Sequence, residues 1–489
     1  MYVIALDAGT TSVRAILYDR NGKALESASR PIRIKTPRPG WVQQDAEEIY
    51  AQAVNALREL ADKAALTASD VAAIGIANQR ETVVVWDKST GIPVYDAIVW
   101  QCRRTTDICE KVKSDGMSVE IFEKTGLQVD AYFSATKIKW ILDNVPGVTD
   151  RAAKGQLLAG TVDSYLVWKL TGGKVHITDH TNASRTMLYN IRDLKWDKGL
   201  LDYFKIPPCM LPEVTDSAAR VGYTDVLGGF VLIGGIVGDQ QASLFGHCCF
   251  EKGEAKNTYG TGSFMLINTK DYVRAPSGLL NTIAWSIDGK VTYAIEGSVF
   301  VSGALIQWLR DQMGILRSAE ESEELALQIH DNGGLYIVPA FAGLGAPYWD
   351  MHARGLIVGI TRGTTKAHIA RAALESMAYQ VYDVFEEVKQ NTGFAIKSLK
   401  VDGGASANNF LMQFQSDILG VDVVRSKDKE TTARGAAYVA GITAGIWDFG
   451  ALKGLDQVDK VFKPDVNFDK AKAINGWKRA VERSRKWAI

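Results

Sequence analysis

Two turns in this 489-residue chain have the residue types that could cradle phosphate, Asp7-Ala8-Gly9-Thr10-Thr11-Ser12 and its weaker echo Tyr259-Gly260-Thr261-Gly262-Ser263, and a third glycine turn, Asp402-Gly403-Gly404, leads into a helix. Glycine lets the backbone approach an anion closely, and consecutive N–H groups with Thr and Ser hydroxyls then donate to its oxygens. Arg14, two residues past Ser12, adds positive charge. Asp7 is placed to hold a hydrated Mg2+, a cation that takes few carboxylates and several waters. Alone, the first turn reads equally as a plain hairpin; the three together favour nucleotide binding. No G-x-x-x-x-G-K-[ST] run occurs, which excludes a Walker-type phosphate site.

The elements that carry these turns alternate along the chain, so the fold class is α/β. Val3–Leu6 and Ala15–Tyr18 read as strands flanking the first turn, and Phe264–Ile267 as the strand after the second. Two Gly-Thr turns in matching strand context predict two lobes built on one template, each offering a hairpin tip. Trp41–Asp45 leads into a helix with Ile49, Ala53, Leu57 and Leu60 on one face, and Asp45 with Glu48 has capping-box spacing. Further helices are expected from about Lys366 to Lys389, stopping near Gly393, and from about Asn408. The lobes are expected at residues 1–248 and 249–489, packed closely, because no Pro/Ser-rich linker separates them.

Composition narrows the function classes. Lys+Arg and Asp+Glu are both 56, which argues against a chain that coats polyanions, so no nucleic-acid partner is expected. The five cysteines show no CxxC spacing and their number is odd, which fits a reducing, cytoplasmic setting. His176 and His180 sit four apart, but no HExxH accompanies them. The chain opens on strand-like Tyr2–Leu6 without a charged leader, and its longest apolar runs (Phe230–Ile233, Ala436–Ile442) are far short of a membrane span.

The three-turn arrangement resembles the actin/hexokinase/Hsp70 superfamily. The resemblance implies two ribonuclease H-like lobes, each a mixed sheet flanked by helices, with ATP in the cleft between them. It also implies that Thr10, Thr11, Ser12 and Thr261 touch phosphates, while Gly404, Asn408, Gly303 and Gln307 wall the nucleoside. The segment Tyr132–Trp140 is similar to the first signature of the FGGY carbohydrate kinases. The blocks Asn78–Thr82, Trp100–Arg104, Thr181–Met187, Gly238–Ala242, Phe341–Asp350 and Val401–Gly420 resemble the branch of that family that phosphorylates glycerol.

That resemblance implies an acceptor site for a small polyol, and the residue types suit one. Arg80 supplies a planar donor fork and Glu81 acceptors, so adjacent hydroxyls are gripped from both sides. Tyr132 and Gln240 add polar contacts, while Trp100 and Phe264 press on the C–H side and exclude water. Asp239 is implied as general base, giving sn-glycerol 3-phosphate and ADP. Other readings stand beside these: Arg80-Glu81 as a solvated pair at a strand end, Trp100 and Phe264 as core, Asp239 as the cap of a following helix. The family also implies a homodimer or homotetramer. A kinase for another small polyol or ketose, and a non-catalytic ATP-binding module, are the rival functions. Two regulatory features of bacterial relatives are missing from the residues: Val226–Val231 has no Gly-Arg pair and Asp216–Tyr223 has no His.

Overall fold

The hairpin Tyr2–Ala8/Ser12–Tyr18 starts the first sheet, because apolar β-branched strands flank a Gly-Thr-Thr tip. In the computed structural model, which describes residues 1–488, this hairpin has a counterpart in Ala255–Tyr259/Ser263–Lys270. Each hairpin is extended by an antiparallel strand on its second member, Ala24–Pro31 in one lobe and Lys290–Val299 in the other. On its first member each is extended by two parallel strands: Val71–Asn78 then Val231–Gly238, and Ser398–Asp402 then Asp422–Ser426. The same five-strand order and directions therefore recur, inside sheets of six and seven strands. The echo between the two turns reflects this repeated architecture.

Helices cover these sheets where the apolar spacing requires. Ala46–Lys63 buries Ile49, Ala53, Leu57 and Leu60. Its cap is simpler than a capping box: the Asp45 carboxylate accepts from the N–H groups of Glu47 and Glu48, while the Glu48 carboxylate turns away to Arg33. In the second lobe Lys366–Thr392 ends at Gly393, whose φ of 69° is left-handed, and Asn409–Leu419 buries Leu411, Phe414 and Ile418. A last helix, Lys470–Ser484, docks through Trp477, Ala480 and Val481.

Two helices cross between the lobes. Asp239–Gly246 follows the last parallel strand of the first sheet, and Thr431–Thr443 comes from the far end of the chain to pack on that sheet. Their backbones touch: a Cβ on Gly435 would lie 1.8 Å from the Ala242 carbonyl oxygen. One core cluster accordingly spans both lobes, joining Ala433, Ala436 and Tyr438 to Val3, Ala73 and Leu266, while most of the second lobe keeps a core of its own. Among the described residues, no helix is long and apolar enough to cross a membrane.

Candidate active site

The strand Val71–Asn78 delivers Asn78–Thr82 to the end of the first sheet. Arg80 and Glu81 are buried there, 2% and 1% exposed, so they are not a solvated pair. Glu81 holds a left-handed backbone (φ 61°), which costs a non-glycine residue on the order of 1–3 kcal/mol. Neighbours hold it in place: its carbonyl accepts from Ser134 Oγ at 3.2 Å and Lys137 Nζ at 3.3 Å. Lys137 also donates to the carbonyls of Tyr132 and Phe133, so one buried ammonium ties the Arg80-Glu81 turn to the segment that places Tyr132.

Two further charges complete the cluster. Arg80 makes a two-pronged pair with Glu296, 2.6 and 2.9 Å, and adds Gln241 at 3.1 Å and the Tyr132 hydroxyl at 3.3 Å. Arg185 donates to Glu81 at 2.7 Å and to Glu296 at 3.0 Å. Burial alone would raise the Glu296 carboxyl, but Arg185 and Arg80 hold it down to about 2. Burial raises Glu81 above the usual carboxylate range, with Arg80 and Arg185 opposing. Among the described residues, Nε of Arg80 and Nη1 of Arg185 find no hydrogen-bond acceptor. A buried donor left unpaired costs about 1–3 kcal/mol, a cost that an oxygen reaching either N–H would offset.

Asp239 stands beside this cluster, Oδ1 lying 3.2 Å from Arg80 Nε. It is the first residue of its helix rather than the cap, which is Gly238. Glycine is required at that cap: a Cβ there would lie 2.8 Å from Arg80 Cδ. The Asp239 side chain is 27% exposed, the one carboxylate around Arg80 that reaches solvent. Gln240 donates to both of its oxygens, from the backbone at 2.8 Å and from Nε2 at 3.1 Å, and accepts from buried Lys256 at 2.6 Å.

Aromatic rings wall the other side. Trp100 meets Tyr132 and Phe264 edge-on, with centroids 5.7 and 6.0 Å apart, and its Nε1–H donates to Thr10 Oγ1 at 2.9 Å. The aromatic wall and the Gly9–Ser12 tip are thereby joined. Gln44 and Gln79 brace that tip by donating to the carbonyls of Thr10 and Gly9 at 2.6 and 3.2 Å. Thr11 stays exposed and Ser12 half-buried.

Asp7 lies opposite Arg14 in the hairpin register, 3.6 Å from its guanidinium. Arg14 is not free: it also pairs with Glu430, just before the crossing helix Thr431–Thr443. Burial pushes the Asp7 carboxyl up to about 6, against the pull of Arg14 and with Asp239 and Glu430 adding repulsion. Such a carboxylate is under-compensated by the chain's own donors.

A cavity of about 420 Å³ opens in the second lobe, lined by Gly260 and Thr261 at one end, by Gly303, Ile306 and Gln307 along one wall, and by Gly404 and Asn408 along the other. All five expected nucleotide residues of this lobe therefore meet. Asn408 has a second task, capping the helix Asn409–Leu419 through its side-chain oxygen at 2.9 Å from the Leu411 nitrogen. His176 and His180 are not paired: His176 contacts the Ala159 carbonyl oxygen at 3.1 Å and His180 the Tyr189 hydroxyl at 2.9 Å.

Glu296, Arg185 and Lys256 are the site residues that sequence reasoning left without a role. Glu296 carried a faint signal, a lone charge in the apolar run Tyr293-Ala294-Ile295-Glu296, whereas Lys256, in the polar stretch Glu254-Ala255-Lys256-Asn257-Thr258, carried none.

The chain is 56% identical to the glycerol kinase of Caldanaerobacter subterraneus subsp. tengcongensis, covering 100% of this chain and 99% of that protein. It is 57% identical to the glycerol kinase of Alkaliphilus oremlandii, covering 99% and 98%. The crystal structure of Plasmodium falciparum glycerol kinase with ADP superposes with a TM-score of 0.89 at 34% identity, over 99% of this chain and 98% of that one. Xylulose kinase from Lactobacillus acidophilus shares the fold, with a TM-score of 0.86 at 23% identity, over 99% of this chain and 96% of that one. Residues 2–246 match the N-terminal domain, and residues 255–444 the C-terminal domain, of the FGGY family of carbohydrate kinases, and the chain belongs to that family.

Proposed function

We infer that this chain transfers the γ-phosphoryl group of ATP to a terminal hydroxyl of glycerol, giving sn-glycerol 3-phosphate and ADP. The observation that carries this reading is the buried cluster Arg80–Glu81–Arg185–Glu296, with unpaired donors on both arginines and Asp239 at its open side. Glycerol offers three hydroxyls and little else. Arg80 donates to one of them through Nε, Glu81 accepts, and the Trp100–Phe264 wall meets the carbon skeleton. Asp239 takes the proton of the attacking hydroxyl, worth a factor of about 10²–10⁴. Holding that hydroxyl in line with the γ-phosphorus supplies much of the remainder.

Thr10, Thr11, Ser12 and Thr261 grip the phosphates, Arg14 adds positive charge beside them, and the adenosine occupies the cavity between Gly303–Gln307 and Gly404–Asn408. Asp7 suits a Mg2+ held through water, because its buried carboxylate lacks a full partner in the chain. When bound, that ion offsets charge on the phosphate oxygens. The lobes divide at residues 248/249, and the helix Thr431–Thr443 returns across the division, so closure on both substrates expels water and suppresses idle ATP hydrolysis. Assembly as a homodimer or homotetramer and a cytoplasmic setting carry over from the family resemblance.

A coupled assay of ADP release across a panel of polyols and ketoses tests the function. Release that depends on glycerol is expected. Dependence on another acceptor, or turnover without any acceptor, contradicts it.

A further inference from the structure

Lys256 is a fully buried lysine whose ammonium lies 2.6 Å from Gln240, a residue that touches Asp239. Its strand, Ala255–Tyr259, ends in the second phosphate tip, and its side chain faces the helix Asp239–Gly246. A lysine placed only to fill space there would be costly, since hydrocarbon does the same without desolvating a charge.

The hydrogen bonds have a fixed direction. An ammonium only donates, so the side-chain oxygen of Gln240 must face Lys256. The Gln240 amide nitrogen then faces Asp239 Oδ2, at 3.1 Å, while the Gln240 backbone N–H takes Oδ1 at 2.8 Å. Both carboxylate oxygens are thus fixed by one residue whose amide orientation is set by Lys256. Without the ammonium the amide is free to turn over, which would put oxygen against oxygen. Lys256 is itself held by Thr258 Oγ1 at 2.9 Å, and Thr258 continues to Ser243 at 3.2 Å and on to Asp402 at 2.9 Å. This polar belt ties the helix that bears Asp239 to the sheet that bears the phosphate tip.

We propose that Lys256 is a positioning residue for phosphoryl transfer, acting through Gln240 to hold the Asp239 carboxylate in its productive orientation and to tie it to the second phosphate tip. Burial draws the Lys256 ammonium down to about 8, with Asp402 and Asp239 opposing, so it remains a cation at neutral pH. The inference rests on the reading of Asp239 as the proton acceptor.

The test is steady-state kinetics of the full chain with glycerol and MgATP, alongside thermal melting. Lys256→Met keeps the length and removes the donors. The expected result is a kcat lower by on the order of 10²-fold, with the KM values for glycerol and ATP within about threefold of the parent. Gln240→Glu keeps the acceptor for Lys256 and removes the donor to Asp239, so it is expected to lose kcat similarly while melting with the parent. An unchanged kcat in Lys256→Met overturns the proposal. So does a loss in Lys256→Met that follows its melting temperature and is not shared by Gln240→Glu. If Asp239→Asn is inactive while Lys256→Met is fully active, only this inference fails; if Asp239→Asn turns over normally, the acceptor reading fails and takes this one with it.

Discussion

Arg80 of the first lobe and Glu296 of the second form a two-pronged ion pair, Nη1 to Oε2 at 2.6 Å and Nη2 to Oε1 at 2.9 Å, with neither side chain more than 1% exposed. The buried charge cluster is therefore built by both lobes. Glu296 occupies the two terminal nitrogens of Arg80, while Nε lies 3.2 Å from Asp239 Oδ1 without a hydrogen bond to it.

Removing the charge at Glu296 strands two buried guanidinium groups. Glu296→Gln is expected to raise the KM for glycerol by more than about tenfold, and breaking the pair to cost about 3–5 kcal/mol of stability. The KM for ATP should stay near the parent value. Kinetics with each substrate varied, together with urea unfolding, check both.

On the proposed reading, the cavity lined by Gly404 takes the nucleotide and is separable from the polyol cluster. No protein atom lies within 4 Å of a Cβ built on Gly404. Gly404→Val therefore folds normally and projects into the cavity. The expected result is a KM for ATP raised at least about tenfold, the loss of roughly 1.4 kcal/mol or more of binding, with the KM for glycerol unchanged. Equal effects on both substrates would show that this cavity is not the nucleotide site.

The helix crossing tolerates no side chain. With Gly435 facing the Ala242 carbonyl oxygen at 1.8 Å from its would-be Cβ, Gly435→Ala must push the two helices apart. Overpacking of this kind costs about 1–3 kcal/mol, and here it strikes the junction between lobes. A lower urea midpoint combined with a lower kcat is expected.

Much of this was legible beforehand, and the reasons differ by residue. The Gly-Thr tips announce themselves because a phosphate-gripping turn needs glycine and hydroxyls at fixed offsets, and the repeated sheets bear out the two-lobe reading. The helix expected over about Lys366–Lys389 follows from apolar spacing and its stop from Gly393, and it runs three residues further, to Thr392. Glu296 was not legible, because its meaning lies in Arg80, which is 216 residues away. The crossing helix Thr431–Thr443 was not either: its run of small apolar residues suits burial anywhere, and only the packed structure assigns it to the first sheet. Gln240 was read as a polyol contact, yet its amide is engaged by Lys256 and Asp239, partners that no local pattern reveals.

A pH effect on stability follows from Asp383, buried beneath the last helix. One of its oxygens accepts from the Tyr348 hydroxyl at 2.9 Å and from Trp477 Nε1 at 2.7 Å. Burial pushes the carboxyl up to about 7, against those two hydrogen bonds. Between the ordinary carboxylate pKa of about 4 and pH 7 the unfolded chain releases this proton while the folded chain keeps it, so stability falls as pH rises through that window. Asp383→Asn does not titrate. Relative to the parent, it should gain on the order of a few kcal/mol between pH 4 and pH 8. Urea unfolding at both pH values checks the sign.

The central claim is that one carboxylate accepts the proton of the polyol hydroxyl as phosphate is transferred. Its direct test is Asp239→Asn, measured by glycerol-dependent ADP release and by glycerol binding to the same preparation. The account predicts retained binding with kcat reduced by about 10²-fold or more. Turnover within a few-fold of the parent, with binding intact, would contradict it.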